Sequence, residues 1–185
     1  MMEEIRTDTE RKMQKSVTAV TEELSGIRSG KATPALLDSV KVEAYGQKMP
    51  LNQVASVSVP DPKTLIVQPW DKSTAGDIVR GIQMSGLDFN PQIDGAIIRI
   101  PLPPLSEERR RDLVKLCKKV AEEGKVSIRN IRRDANERLK KAEKDKKISQ
   151  DEHHEGADKV QHLTDKHIAE IDALVVRKER EVMQV

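Results

Sequence analysis

Apolar or small residues recur every three or four positions along both ends of the 185-residue chain, in flanks that contain no proline. This spacing gives each segment one apolar stripe, which predicts amphipathic helices packed side by side. We assign three long helices, and the pattern favours an antiparallel bundle. In chain order the stripes are Ile5, Thr9, Met13, Val17, Val20, Leu24 and Ile27; Leu113, Cys117, Val120, Gly124, Ile128, Ile131, Ala135, Leu139 and Ala142; and Ala157, Val160, Leu163, His167, Ile171, Leu174 and Val182.

Two serines mark the predicted starts of the second and third helices. Ser106 precedes Glu107 and Glu108, and a hydroxyl followed by an acidic first turn satisfies the free amides of a helix start. Ser149 follows a break in the apolar pattern and predicts the next cap. The second helix would span roughly 60 Å at 1.5 Å per residue, so we expect the bundle to be a rod. Gly124 lies in its seam, either to allow close helix approach or as a tolerated defect.

The interval from Pro34 to Pro104 has a different composition. It contains all nine prolines and all three aromatic residues of the chain. Proline interrupts helices and aromatic residues favour strands, so this interval predicts a separate domain. We therefore expect an α+β protein of two domains, with residues 1–30 and 105–185 forming the three-helix bundle and residues 31–104 forming an inserted β/α/β domain.

Local patterns predict the elements of the inserted domain. The segments "SVKVEAY", "VASVSV" and "TLIVQPW" are rich in β-branched residues and read as strands. Thr74-x-x-Asp77 resembles a capping box and predicts a short helix. Asp94-Gly95 before "AIIRI" predicts a hairpin turn.

Two short crossings, 29–34 and 101–106, would join the two domains. Gly30 allows a wide range of backbone conformations, whereas Pro103 and Pro104 favour a stiff extended strut. Paired short crossings are compatible with a hinge, since rotation there needs changes in only a few dihedral angles. A fixed elbow fits the same residues equally well.

Positive charge is concentrated in one part of the chain. The formal net charge is only +2, but residues 105–147 carry 16 basic and 9 acidic side chains. On a helical wheel, basic residues spaced seven apart form a strip beside the apolar seam. The strip and its neighbours are Arg111, Lys118, Lys125, Arg129, Arg132 and Arg133. Such a strip would bind the phosphates of folded RNA, or would be a solvated face; periodicity alone leaves both open.

Other classes of function find little support. Single-strand binding needs exposed aromatic rings, and the helical flanks have none. The four histidines of the third helix lack the spacing of a zinc motif and read as surface residues. Cys117 occupies an apolar position and reads as core, and a single cysteine fits a reducing compartment. The start of the chain is charged and no run is long enough to cross a bilayer, so we expect no membrane association. We expect a cytoplasmic protein; an organelle matrix is the alternative if a transit segment has been removed. We expect no catalytic residues, no metal and no cofactor.

Several motifs together resemble the ribosome recycling factor family. The resemblance covers essentially the whole chain in order. The motifs that carry it are "IRSGKATPALLD" at 27–38, "YGQKMPLNQVASVSVPDP" at 45–62, "VQPWDKS" at 67–73, "IRIPLPPLSEERRRDL" at 98–113, "RNIRRDAN" at 129–136 and the ending "KEREVMQV".

This resemblance implies an L-shaped, non-enzymatic protein that recycles ribosomes after termination. It implies binding to the vacant ribosome through RNA of the large subunit, and separation of the subunits together with elongation factor G and GTP. It also implies that the small domain is mobile and faces elongation factor G. We expect a monomer. The expected RNA-binding residues are Arg132, foremost, with Arg129, Arg133, Lys125, Arg110 and Arg28; the expected hinge residues are Gly30, Lys31, Pro103, Pro104 and Leu105.

Overall fold

The computed structural model describes residues 1–184, which form long helices and a small set of antiparallel strands. The helices are α1 (Met2–Ser25), α2 (Ala75–Gln83), α3 (Glu107–Lys144) and α4 (Gln150–Met183). The strands are β1 (Lys41–Ala44), β2 (Gln47–Pro50), β3 (Ala55–Asp61), β4 (Thr64–Pro69), β5 (Gln92–Asp94) and β6 (Ile97–Pro101). The predicted combination of long helices with a small domain of mixed structure is confirmed.

The chain divides into two compact units. The first contains Met1–Leu24 and Val114–Arg180, and is therefore helical. The second contains Ser25–Leu113 and the residues from Glu181 onward, and it includes every strand that the structure describes.

The apolar stripes form the core of the first unit. In α1 all six predicted positions from Ile5 to Leu24 are buried. In α3 the predicted row is buried as well, apart from the half-buried Ile131. Met13, Ile128 and Ile171 are completely enclosed and come from three different helices. The helices are thus held together mainly by aliphatic burial, worth about 25 cal/mol per Å² of apolar surface.

The buried stripe of α4 is broader than predicted. Thr164 and Val175 are buried, whereas the predicted Leu163 and Leu174 are only half-buried. A helix that packs against two neighbours buries a wide face, and a single row of every third or fourth residue does not describe it. The buried hydroxyl of Thr164 donates to the carbonyl oxygen of Val160 at 2.8 Å, which satisfies its hydrogen bond within the helix.

His167 corrects the interpretation of the histidines as surface residues. Its side chain is 1% exposed and lies among the core positions of α4. Its Nδ1 lies 3.3 Å from a carboxylate oxygen of Glu170, and its Nε2 has no hydrogen-bond partner among residues 1–184. The surface interpretation was wrong here because the ring is large enough to fill an apolar position of the stripe.

Both predicted serine caps are confirmed. The backbone N–H of Arg109 donates to Oγ of Ser106 at 3.1 Å. At the start of α4, the N–H of Glu152 donates to Oγ of Ser149 at 3.1 Å, and the N–H of Ser149 donates back to the Glu152 carboxylate at 2.7 Å. The second pair is a reciprocal capping box. With 38 residues, α3 is about 57 Å long.

The second unit contains a four-stranded sheet in the order β3-β4-β6-β5 and a separate β1–β2 hairpin, all antiparallel. Helix α2 packs against β1, and its Ile78 and Ile82 are fully buried with Leu65 and Val67 of β4. The three predicted strands and the Asp94-Gly95 hairpin are confirmed. The short strands β2 and β5 were missed because they have only four and three residues, most of them exposed.

The predicted capping box at Thr74 and Asp77 was wrong. Thr74 makes no side-chain cap bond to α2, and its hydroxyl donates to the carbonyl oxygen of Asp71 at 2.7 Å. Asp71 instead accepts from the N–H of Ser73 at 2.9 Å and starts a short 3₁₀ turn that leads into the helix. The carboxylate of Asp77 contacts Arg80 one turn along.

Gly124 allows two neighbouring helices to approach α3. A methyl group at this position would lie 2.3 Å from Cγ2 of Val20 and 3.3 Å from Cδ1 of Ile171. Val20 is β-branched and has little rotamer freedom in a helix. We therefore expect Gly124→Ala to lower the free energy of unfolding by about 1–3 kcal/mol, measured by urea denaturation. The control is Gly76→Ala, where the methyl meets nothing within 4 Å and stability should rise slightly. An unchanged or higher stability of Gly124→Ala would contradict close packing at this point.

Asp8 joins α1 to α3 and predicts an acid-sensitive contact. Hydrogen bonds from Arg11, Lys12 and Arg138 hold the pKa of its carboxyl well below the usual range. A depressed folded-state pKa contributes stability that is complete above about pH 5 and is lost as pH falls toward that pKa. In urea denaturation at a series of pH values, the stability gap between the unmodified chain and Asp8→Asn should therefore narrow as pH falls below about 5. A gap that stays constant down to pH 2 would rule out this linkage.

Candidate nucleic-acid interface

One face of α3 carries cations around an open depression of about 490 Å³. Arg132 and Arg133 follow Arg129 by three and four residues, and Lys140 follows Arg133 by seven, so one side of the helix presents them together. We call this surface the arginine depression. It is lined by Arg129, Asn130, Arg132, Arg133, Asn136, Glu137, Lys140 and His153.

The two central arginines have no carboxylate partner. Nη1 of Arg132 donates to the neutral amide oxygen of Gln161 at 3.4 Å. Within residues 1–184, no carboxylate oxygen lies within 4 Å of the guanidinium of Arg132 or Arg133. Their positive charge is therefore available to an external anion, and a guanidinium binds phosphate through two parallel hydrogen bonds.

Arg129 and Lys125 are already paired within the protein. Arg129 donates to the carboxylate of Glu122 at 2.7 Å, in an ion pair with both side chains substantially exposed. Exposed pairs contribute at most about 1 kcal/mol, so a phosphate could compete for Arg129. Lys125 contacts the carboxylate of Asp172 and joins α3 to α4. Because of this contact, Lys125 has less free charge to offer than Arg132 or Arg133.

Arg28 and Arg110 belong to the second unit and are used differently. The guanidinium of Arg28, the residue just before the first predicted crossing, donates to the carbonyl oxygen of Pro103 in the second crossing. Burial, and secondarily repulsion from Arg109, lowers the pKa of Arg28. The Nε atoms of Arg28 and Arg110 are buried with no hydrogen-bond partner among the described residues. RNA contact by these two arginines stays a prediction.

Sequence reasoning missed five members of the arginine depression, namely Asn130, Asn136, Glu137, Lys140 and His153. The helical wheel already placed Lys140 seven residues after Arg133, so its position on the basic face could have been found. His153 could not, because its place depends on how α4 returns along α3. Its Nδ1 contacts the carboxylate of Glu143, which positions the ring at the edge of the depression.

The predicted hinge segments lie in the second unit, next to a common anchor. The N–H of Ala32 donates to the carbonyl oxygen of Pro62 at 2.8 Å, and the N–H of Leu102 donates to that of Lys63 at 2.7 Å. Both crossings are thus fixed to the turn between β3 and β4. The predicted hinge residues lie just outside these anchors, and they are Gly30, Lys31, Pro103, Pro104 and Leu105. Bending at these residues stays a prediction.

Membrane insertion and metal binding find no support in residues 1–184. None of their helices combines the length and apolar character needed to cross a bilayer. No group of three or more histidine, cysteine, aspartate or glutamate side chains among them is arranged to hold a metal ion.

Comparison with known proteins gives one consistent result. Residues 20–183 match the family model described as "Ribosome recycling factor". The chain is 54% identical to the ribosome-recycling factor of Symbiobacterium thermophilum over 185 residues, which is 100% of both chains. It is 51% identical to that of Halalkalibacterium halodurans, again over 100% of both chains.

Solved structures agree with these matches. A solution structure of the ribosome recycling factor is similar with a TM-score of 0.79 and 41% identity, over 100% of this chain and 98% of the other. A second similar structure has a TM-score of 0.69 and 44% identity over 100% of both chains. That structure comprises models for the T. thermophilus ribosome recycling factor and the E. coli elongation factor G bound to the E. coli post-termination complex.

The pairing pattern predicts that the cations of α3 are not equivalent in RNA binding. Arg133→Gln should weaken binding of a folded RNA hairpin and reduce the dependence of log affinity on log salt by about 1. Lys125→Gln, the matched control, should change both much less because Lys125 is paired with Asp172. Fluorescence anisotropy over a salt series measures both quantities. Equal losses for the two variants would contradict the assignment of free charge to Arg133.

Proposed function

This chain belongs to the ribosome recycling factor family, and from that membership we propose that it recycles ribosomes after translation termination. It binds the post-termination ribosome and, together with elongation factor G and GTP hydrolysis by that factor, separates the subunits for a new round of initiation. It acts as a translation factor and has no catalytic reaction of its own.

Binding to RNA is inferred mainly from the positive charges of Arg132 and Arg133, neither of which pairs with a carboxylate among residues 1–184. Both lie on a continuous helix of 38 residues and line the open depression. Among residues 1–184, no carboxylate oxygen lies within 4 Å of either guanidinium group. Folded RNA is recognised mainly by its shape and backbone, and a rigid helix presents guanidinium groups at the fixed spacing that this needs. The arginine depression therefore contacts RNA of the large ribosomal subunit, with Arg129 joining when phosphate displaces Glu122.

Elongation factor G is proposed as the partner because one similar structure is described as a ribosome recycling factor and elongation factor G bound to a post-termination complex. Elongation factor G supplies the energy of GTP hydrolysis, and this chain transmits the resulting movement. The ribosome and this factor act in the cytoplasm, a reducing compartment that is compatible with a chain whose one cysteine is buried. The chain works as a monomer.

The two crossings between the domains are where we expect movement to occur. Bonds from Ala32 and Leu102 to the β3–β4 turn make the ends of the small domain rigid. Movement is therefore concentrated in the few residues outside those bonds, around Gly30 on one crossing and Pro103 to Leu105 on the other. Rotation at these residues lets the small domain move while the helical bundle keeps its hold on RNA.

Deleting Gly30 tests whether RNA binding depends on the helical bundle and subunit separation on movement at the crossings. The deletion shortens one crossing and should preserve binding to large ribosomal subunits while abolishing subunit separation by elongation factor G and GTP. Binding is measured by sedimentation with purified large subunits, and separation by light scattering of vacant ribosomes. The control is a single glycine inserted after Lys146, in the loop between α3 and α4, which should leave both activities intact. Full separation by the Gly30 deletion would reject the hinge, and no separation by the unmodified chain would reject the function.

A further inference from the structure

His153 lines the arginine depression, although it belongs to a different helix from the rest of the lining. It lies near the start of α4, whereas the other lining residues all belong to α3. Its side chain is 27% exposed, so the ring is half-buried at the edge of the depression and a ligand can still reach it. The RNA contacts proposed above use arginine side chains and give this ring no part.

One nitrogen of the ring is fixed by a carboxylate. Nδ1 of His153 contacts a carboxylate oxygen of Glu143, near the end of α3. An ionised carboxylate only accepts hydrogen bonds, so Nδ1 carries the hydrogen in this contact. Glu143 is not part of the lining of the depression, and the two nitrogens of an imidazole point in different directions. Nε2 is therefore turned away from Glu143, and it makes no hydrogen bond within residues 1–184.

The protonation state of the ring decides whether Nε2 can bind phosphate. With its hydrogen on Nδ1, the neutral ring presents a lone pair at Nε2, which cannot donate to a phosphate oxygen. A second hydrogen, at Nε2, makes this atom a charged donor. The same proton balances the negative charge of Glu143, which repels phosphate while the ring is neutral. Histidine side chains in general gain this proton as pH falls from about 8 to about 5.

Charged groups on both helices act on this proton. In α4, the ring of His154 stacks on that of His153 with centroids 6.4 Å apart, so a positive charge on one ring opposes a charge on the other. In α3, the carboxylates of Glu143 and Glu137 attract the proton. The cations of the depression repel it, and they are Arg129, Arg132, Arg133 and Lys140. A bound phosphate offsets those positive charges, so phosphate binding and proton uptake favour each other.

We propose that His153 is a further RNA-binding residue and makes the affinity of the arginine depression for RNA depend on pH. Its protonated ring donates from Nε2 to a phosphate oxygen, next to the phosphates bound by Arg132 and Arg133, and Glu143 positions the ring. Binding of RNA takes up a proton, so the affinity rises as pH falls. This inference rests on the proposed function in one respect, that the ligand of the depression is RNA.

Two variants of the full chain test the inference. Fluorescence anisotropy measures affinity for a double-stranded RNA hairpin between about pH 6 and pH 8, at constant ionic strength. For the unmodified chain, affinity should rise by about tenfold from the highest to the lowest pH, the effect of gaining one hydrogen bond to a charged group. His153→Gln keeps a neutral polar side chain and should lose most of this rise. Glu143→Gln should bind more tightly than the unmodified chain at the highest pH, because it removes the carboxylate that repels phosphate and keeps the hydrogen on Nδ1.

The matched control is His162→Gln. This exposed histidine lies nine residues after His153, about two and a half turns along α4 and therefore on the opposite side of the helix. It should keep the pH dependence of the unmodified chain. The same loss of pH dependence in His162→Gln and His153→Gln would reject a specific contact by His153, since the charge of any histidine would then suffice.

Other results overturn the inference directly. Affinity of the unmodified chain that does not rise as pH falls, or an equal rise in His153→Gln, would exclude His153 as a phosphate ligand. Weaker binding of Glu143→Gln at the highest pH would contradict the role given to its carboxylate. If the unmodified chain does not bind the hairpin at any pH, the RNA-binding function fails and this inference fails with it. If Arg132→Ala weakens binding while His153→Gln behaves like the unmodified chain, only the inference about His153 is rejected.

Discussion

The central physical constraint is a set of guanidinium charges held on a rigid helix without internal neutralisation. Arg132 and Arg133 face outward from α3, and the nearest polar contact of Arg132 is a neutral amide. In a chain where 35% of residues are charged, a carboxylate partner would be easy to supply. Leaving these two arginines unpaired preserves their full attraction for phosphate, which is strongest when no internal ion pair must first be broken.

Packing in the rest of the helical unit holds these guanidinium groups at fixed positions. Aliphatic stripes from three helices enclose residues such as Met13, Ile128 and Ile171, and Gly124 lets α3 come close to its neighbours. Two other cations of α3 pair with neighbouring helices: Lys125 contacts Asp172 of α4, and Arg138 contacts Asp8 of α1. Paired cations therefore contribute to assembly of the bundle, and unpaired ones are available for binding.

Sequence periodicity was sufficient for the helices and for placing Arg129, Arg132 and Arg133 on one basic face of α3. Apolar residues at helical spacing gave the rows from Ile5 to Leu24 and from Leu113 to Ala142, because burial in a bundle depends on the same period. The basic face of α3 followed from the same wheel. The wheel could not distinguish Lys125 from Arg133, since the difference depends on where Asp172 of α4 lies. The wheel did include His167 in the apolar stripe, and only its interpretation as a surface histidine was wrong. Asp71 as the cap of the 3₁₀ turn before α2 could not be found, because that contact depends on local turn geometry.

The most direct test measures the affinity of Arg132→Ala for purified large ribosomal subunits across a salt series. Loss of two charge-assisted hydrogen bonds to phosphate should weaken binding by about 1–3 kcal/mol at low salt, with a smaller penalty as salt screens the contact. The same affinity for Arg132→Ala and the unmodified chain, at low and moderate salt alike, would contradict the account of the arginine depression as the RNA-binding surface.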